Sequence, residues 1–166
     1  MHNRLSPRSR TLSLLLLAAI SSLAIPAQLH SQSNVPFVSK HIYSTTANPT
    51  ADISAAIAKA TREHKHIILD FGGDWCPDCQ ILDIYFHQQP NADLLARHFV
   101  VVHVDIGQMD HNIAVANKYH VPVTKGVPAL AVLDSHGKLL YAQQNKEFEH
   151  NVTAQAITEF LNRWKA

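Results

Sequence analysis

The sequence predicts an α/β fold in which a mixed central β-sheet is covered by helices on both faces. Three observations carry that expectation. Short apolar runs at 67–71, 99–105 and 129–133, the second of them rich in β-branched residues, alternate with stretches of helical periodicity. The order of elements, a leading helix and then β-α-β-α-β-β-α, combines crossovers with one hairpin and so mixes strand directions. A chain of 166 residues with 46% hydrophobic content can bury one domain's core.

The amino end reads as an address. Arg4, Arg8 and Arg10 precede an apolar run at 12–20, and small residues follow. Residues 1–27 are therefore expected to be a signal peptide, cleaved after Ala24 or Ala27. The competing reading is an uncleaved membrane anchor, although the apolar run is short for a spanning helix. Residues 28–49 form a polar lead-in with Pro36, Pro49 and a Ser44-Thr45-Thr46 run, either packed on the domain or loose. The domain itself is assigned to residues 50–166.

Within it, Ile53, Ala56, Ile57 and Ala60 recur at helical spacing from Asp52 onward. The strand through Leu69 follows, and a helix from about Pro77 to His87 presents Ile81, Leu82, Tyr85 and Phe86 as its apolar stripe. Pro90 interrupts it, and Ala92 to Arg97 forms a further short helix. Residues 99–105 read as a buried parallel strand. Asp110 is the expected cap of a helix through Tyr119. Residues 129–133 make a strand, Ser135-His136-Gly137 a tight turn, and 138–142 the returning hairpin strand. Asn151 is the expected cap of a final helix carrying Ala156, Ile157, Phe160, Leu161 and Trp164 on one face.

Charge excludes one class of partner. The chain has 14 Lys+Arg against 13 Asp+Glu. Loss of residues 1–27 removes three arginines and no acids, which leaves an acidic surplus of two. There is no basic patch, so nucleic acid is not an expected partner.

The chemistry sits in Trp75-Cys76-Pro77-Asp78-Cys79, at the junction between a strand and a helix. Cys76 and Cys79 are the only cysteines. Thiols at i and i+3 close a small disulfide, and a helix amino end stabilises a thiolate at Cys76 through unpaired N–H groups and the dipole. Pro77 suits the first turn because its missing N–H would have had no partner there. A loop this short contributes little as a structural staple, so the pair reads as a redox-active dithiol.

Trp-Cys-x-x-Cys after an apolar strand, with Gly126-Val127-Pro128-Ala129 some fifty residues later, resembles the thioredoxin-like superfamily over about residues 50–166. Within it the chain is similar to exported members. It resembles in pattern the periplasmic carboxy-terminal domain of the transmembrane thiol:disulfide interchange protein, through Leu69-Asp70, the Trp75–Cys79 motif and the acid Asp83.

The resemblance implies a thioredoxin fold and a periplasmic or secreted thiol-disulfide oxidoreductase. It implies that Cys76 attacks and Cys79 resolves, with Asp70 as the buried carboxylate that moves the proton of Cys79. It places Pro128 on the cis-proline beside the disulfide. Val127, Trp75 and Pro77 fall at the substrate-binding surface, and Asp83 on the second acid of the periplasmic domain. Asp83 also shares a helix face with Cys79 at i, i+4, although an ordinary solvated acid fits that position as well. Protein thiols and disulfides are the implied substrates, a membrane protein the implied electron donor, and a monomer the expected state. No cofactor beyond the Cys76–Cys79 disulfide is expected.

Three departures stand out. Thioredoxin has Gly-Pro between its cysteines where this chain has Pro77-Asp78. The lysine that usually faces the buried acid is replaced by Val101. Residues 122–124 look inserted before Pro128.

Asp70, Asp74, Asp78 and Asp83 surround the cysteines, and negative charge disfavours a Cys76 thiolate. That sign, with Asp78 as the tuning residue, predicts a comparatively reducing site. A metallochaperone binding copper or zinc through the same cysteines and a loop histidine such as His120 is the rival class. A binding module without turnover is the third. Twelve histidines are many, but none shows paired ligand spacing, and His103 reads as a packed strand residue.

Overall fold

A computed structural model of the protein describes residues 39–150 and 152–166. The chain separates into two units, 1–36 and 37–166, and every described residue belongs to the second. The expected signal peptide and residues 28–38 of the lead-in lie outside the described residues.

Helix α1, Pro49–Glu63, starts three residues before the apolar pattern does, because its start is set by a cap. The side chain of Asn48 accepts the Ala51 N–H, and Pro49 occupies the first turn. Strand β1, His66–Gly72, is buried along nearly its whole length. Helices α2 (Pro77–Phe86) and α3 (Asn91–His98) follow, separated by Pro90, and then strand β2, Phe99–Asp105. Beyond the short helix α4, Ile113–Lys118, and a 3-10 turn at Val123–Lys125 come β3 (Ala129–Leu133), β4 (Leu139–Ala142) and α5 (Ala154–Trp164).

The sheet order is β2-β1-β3-β4. Strand β1 runs parallel to β2 and antiparallel to β3, which pairs antiparallel with β4. Mixed directions and helices on both faces agree with the sequence reading. One core contains Ile53 and Ala60 of α1 with Ile67, Leu69, Phe71 and both cysteines. The other packs Leu82, Phe86, Ile157, Phe160 and Leu161 against Ile68, Leu130 and Val132. Alternation along β1 sends odd positions to the first core and Ile68 to the second.

Four local expectations need correction. Strand β2 is parallel but forms the edge of the sheet, and Val100, Val101 and His103 are only half-buried. On α2 the fully buried positions are Cys79, Gln80, Leu82, Asp83 and Phe86, whereas Ile81 and Tyr85 are half-buried. Asp110 does not cap α4: its carboxylate accepts the Gln108 N–H, and the helix begins after Asn112. Helix α5 is capped by Thr153, whose hydroxyl accepts the Ala156 N–H. The expected cap Asn151 lies outside the described residues. The 135–137 turn stands as read. Asp134 accepts the N–H groups of His136 and Lys138, and Gly137 takes the positive φ of 86°.

Candidate active site

Strand β1 ends at Gly72, and its last residues decide what can approach the cysteines. A Cβ on Gly72 would stand 2.5 Å from the Tyr43 ring and hydroxyl and 2.9 Å from Cys79 Sγ. Only glycine leaves room for the phenol and the sulfur to share that space. At Gly73 the Trp75 indole folds over the backbone in the same way and donates from Nε1 to the Gly107 carbonyl at 2.6 Å. Trp75 remains 44% exposed, next in the chain to Cys76.

Cys76 and Cys79 are joined as a disulfide with Cα atoms 5.3 Å apart. Cys76 is the N-cap of α2, and its Sγ accepts the Cys79 N–H at 3.1 Å. That N–H is one of the unpaired donors of a helix amino end, aimed at the sulfur that would carry charge as a thiolate. Both sulfurs are buried: Cys76 retains 3% of its surface and Cys79 none. The Val127–Pro128 peptide is cis, and the Val127 carbonyl oxygen lies 3.6 Å from Cys76 Sγ. Buried Gln143 holds the far side of this loop, donating to the Pro128 carbonyl and accepting the Leu130 N–H.

The four aspartates sit in four different environments. Asp70 is 2% exposed, and its Oδ2 accepts the Tyr43 hydroxyl and lies 2.9 Å from His103 Nδ1. Its Oδ1 is buried without a hydrogen-bond partner among the described residues. Burial, reinforced by the Asp70 charge and hydrogen bond, pushes the Tyr43 hydroxyl well above its usual pKa of 10.0, so it stays protonated. Asp74 faces the lead-in, accepting the N–H groups of Ile42 and Tyr43 and pairing with His41. Asp78 accepts the His150 N–H at 3.0 Å, with that imidazole 3.8 Å away. Asp83 is 6% exposed and pairs with Lys40 at 3.1 Å and His87 at 3.2 Å.

Asp83 is therefore no solvated helix acid; it is buried on the face of Cys79. The carboxylates are also not bare. Each faces a cationic or titratable partner, which the spacing of acids along the sequence does not reveal. Pro77 is exposed at the start of α2, on the rim with Trp75.

Several residues escaped the sequence reading. Tyr43, Lys40 and His41 come from the lead-in, and His103 from the edge strand. Gln80, to which the sequence assigns no part, is 3% exposed. Asp70 is not left alone, because His103 stands directly across from it in the β1–β2 register. A lone tyrosine in a polar segment and a histidine within an apolar strand were the available signals. Among the described residues no three His, Cys, Asp or Glu side chains gather as a metal site would require.

Comparison with known proteins places this geometry. Residues 48–135 match the family described as thioredoxin-like. A disulphide isomerase from Xylella fastidiosa is 33% identical, covering 76% of this chain and 98% of its own, with a TM-score of 0.71. The oxidised carboxy-terminal domain of DsbD from Neisseria meningitidis is 24% identical, covering 70% of this chain and 96% of its own, with a TM-score of 0.51, and supports the fold alone. The thiol:disulfide interchange protein DsbD of Klebsiella pneumoniae is 25% identical over 162 residues, 96% of this chain. The chain spans only about a quarter of that relative's length, 26%.

Proposed function

The chain belongs to the thioredoxin-like family, and from that premise we propose that it is a periplasmic thiol-disulfide oxidoreductase working on the reducing side. The observation that carries this reading is the position of Cys76 Sγ. It accepts a helix N–H at 3.1 Å and lies against the carbonyl of Val127, where an extended substrate strand would pair.

In the reduced enzyme the Cys76 thiolate attacks a substrate disulfide sulfur, and one substrate sulfur leaves with the electron pair. Cys79 gives its proton to Asp70 and attacks Cys76 Sγ. The Cys76–Cys79 bond forms, the mixed disulfide breaks, and the second substrate sulfur leaves as a thiolate that solvent protonates. A membrane thiol protein, of the kind the DsbD likeness suggests, would return two electrons to the pair. Export by a cleaved signal peptide puts these steps in the periplasm.

The reducing direction rests on charge. Asp78 stands between the cysteines, where strongly oxidising sites owe their potential to stabilisation of the reduced thiolate. Its carboxylate accepts the His150 N–H with that imidazole 3.8 Å away, and its place between the two cysteines keeps its charge close to the pair.

The test is disulfide reduction on insulin, combined with trapping. Cys76→Ser should abolish turnover, and Cys79→Ser should accumulate a mixed disulfide through Cys76. Turnover retained by Cys76→Ser overturns the assignment.

A further inference from the structure

Asp70 is 2% exposed, so a proton it takes from Cys79 must be answered by a neighbour that reaches water. Tyr43 is not that neighbour, since it is 2% exposed itself and stays protonated. His103 differs. It is the direct cross-strand partner of Asp70, and its Nδ1 lies 2.9 Å from Oδ2.

We propose that His103 is a positioning residue for the resolving step: its ring holds Asp70 through Nδ1 and meets solvent with its other edge, so that its charge sets how readily Asp70 accepts the proton of Cys79. The inference rests on the reading that Cys79 resolves and Asp70 is its proton acceptor.

The hydrogen positions follow from the acceptor. A carboxylate oxygen only accepts, so Nδ1 carries the proton in this contact, as the Tyr43 hydroxyl does in its own. Both donors hold Oδ2, and the buried Oδ1 is left open to a further proton. The imidazole is 29% exposed because β2 is the edge strand. Its solvent side opens to one groove with Phe86, His87 and Leu95, and to another with Ile42, Asp52 and Lys59.

The charge then works in one direction. A protonated His103 opposes the arrival of a proton on Asp70, and a neutral one does not. The titratable and charged groups around the ring are Asp70 on β1 and Tyr43 of the lead-in, Asp83 on α2 and His87 just past its end, and, along the second groove, Asp52 and Lys59 of α1. Asp83 is itself paired with Lys40 and His87. Burial pushes the His103 pKa down, but the hydrogen bond and charge of Asp70 outweigh it, aided by Asp83, and leave it above 6.5. Resolution should therefore accelerate as pH rises through that region.

A chromogenic aromatic disulfide reads the two steps apart. Attack by Cys76 on 5,5′-dithiobis(2-nitrobenzoate) releases one coloured thiolate, and resolution by Cys79 releases the second. The second phase in the native protein should rise by about tenfold for each pK unit of coupling between His103 and Asp70, with its inflection above 6.5. His103→Asn keeps an amide donor near the Nδ1 position without a charge. It should lose that inflection and resolve faster than the native protein in acid, with the first phase unchanged in shape. In an Asp70→Asn background the same substitution should have no further effect on the second phase. NMR titration of the His103 ring in the native protein must give a midpoint that coincides with the inflection, which needs no variant to fold. An inflection retained in His103→Asn, or a ring midpoint away from it, overturns the role of His103. A second phase that survives in Cys79→Ser overturns the resolving assignment itself.

Discussion

The side-chain amide of Gln80 satisfies both backbone polar groups of Lys40. Oε1 accepts the Lys40 N–H and Nε2 donates to the Lys40 carbonyl, each at 2.9 Å. A helix residue thus takes the part of a neighbouring strand, and it docks the lead-in on α2 beside the disulfide. Asp74 continues the attachment through Ile42 and Tyr43.

Gln80→Ala should free this segment. Both Lys40 groups lose their partner, at a cost of about 1–3 kcal/mol for part-buried polar groups left unmet. Hydrogen exchange at the Lys40, Ile42 and Tyr43 amides checks it, and unchanged protection would show that the contacts of Asp70, Asp74 and Asp83 hold the lead-in without Gln80.

Gly72→Ala should be more disruptive than a methyl group suggests. The new Cβ meets the Tyr43 ring and Cys79 Sγ together, and Tyr43 is buried with little room to withdraw. Overpacking of this kind costs about 1–3 kcal/mol. Denaturant unfolding measures it, and a neutral result would mean that Tyr43 swings away freely.

Stability should depend on pH at both ends of the range. Burial raises the Asp74 pKa, but the N–H groups of Tyr43 and Ile42 and the His41 contact outweigh it, holding it below 3.8. Its contribution is therefore present above 3.8 and lost as pH falls through the folded value. His103 is held above 6.5, so its contribution is present below 6.5 and lost as pH rises through the folded value. Thermal unfolding against pH should show Asp74→Asn flattening the acid limb and His103→Asn the neutral one. An unaltered curve in either variant counts against the corresponding contact.

Asp78→His should make the redox potential less negative. The substitution replaces a carboxylate beside Cys76 with a donor that is cationic in acid, favouring the thiolate. The limit is about 30 mV for each unit by which the Cys76 pKa falls. Equilibration with glutathione buffers reads the potential, and absorbance against pH reads the thiolate. A potential that stays the same or becomes more negative would leave the helix dipole and backbone geometry to set the poise.

What the sequence alone determined is what depends on local pattern. Runs such as 67–71 and 129–133 have only one economical burial, between two layers of helices, so the order of elements and the mixed sheet were legible. Cys76 and Cys79 were legible as well, because i, i+3 thiols at a strand-to-helix junction have little other chemistry. Pro128 followed from its neighbours and the family pattern. The helix starts were less so: Asn48 and Thr153 compete with nearby polar residues as caps, and only the packed chain selects between them.

The tertiary structure decided everything that depends on residues far apart in sequence. Tyr43 and His103 lie 27 and 33 positions from Asp70, yet both reach the same carboxylate oxygen. Four aspartates within fourteen residues look like one negative cluster along the chain. Folding points them in four directions, toward His103, His41, His150 and Lys40, and gives each its own partner. The physical reason is that burial of a charge is tolerated only where a partner arrives with it, and which strand or loop delivers that partner is settled by register and topology.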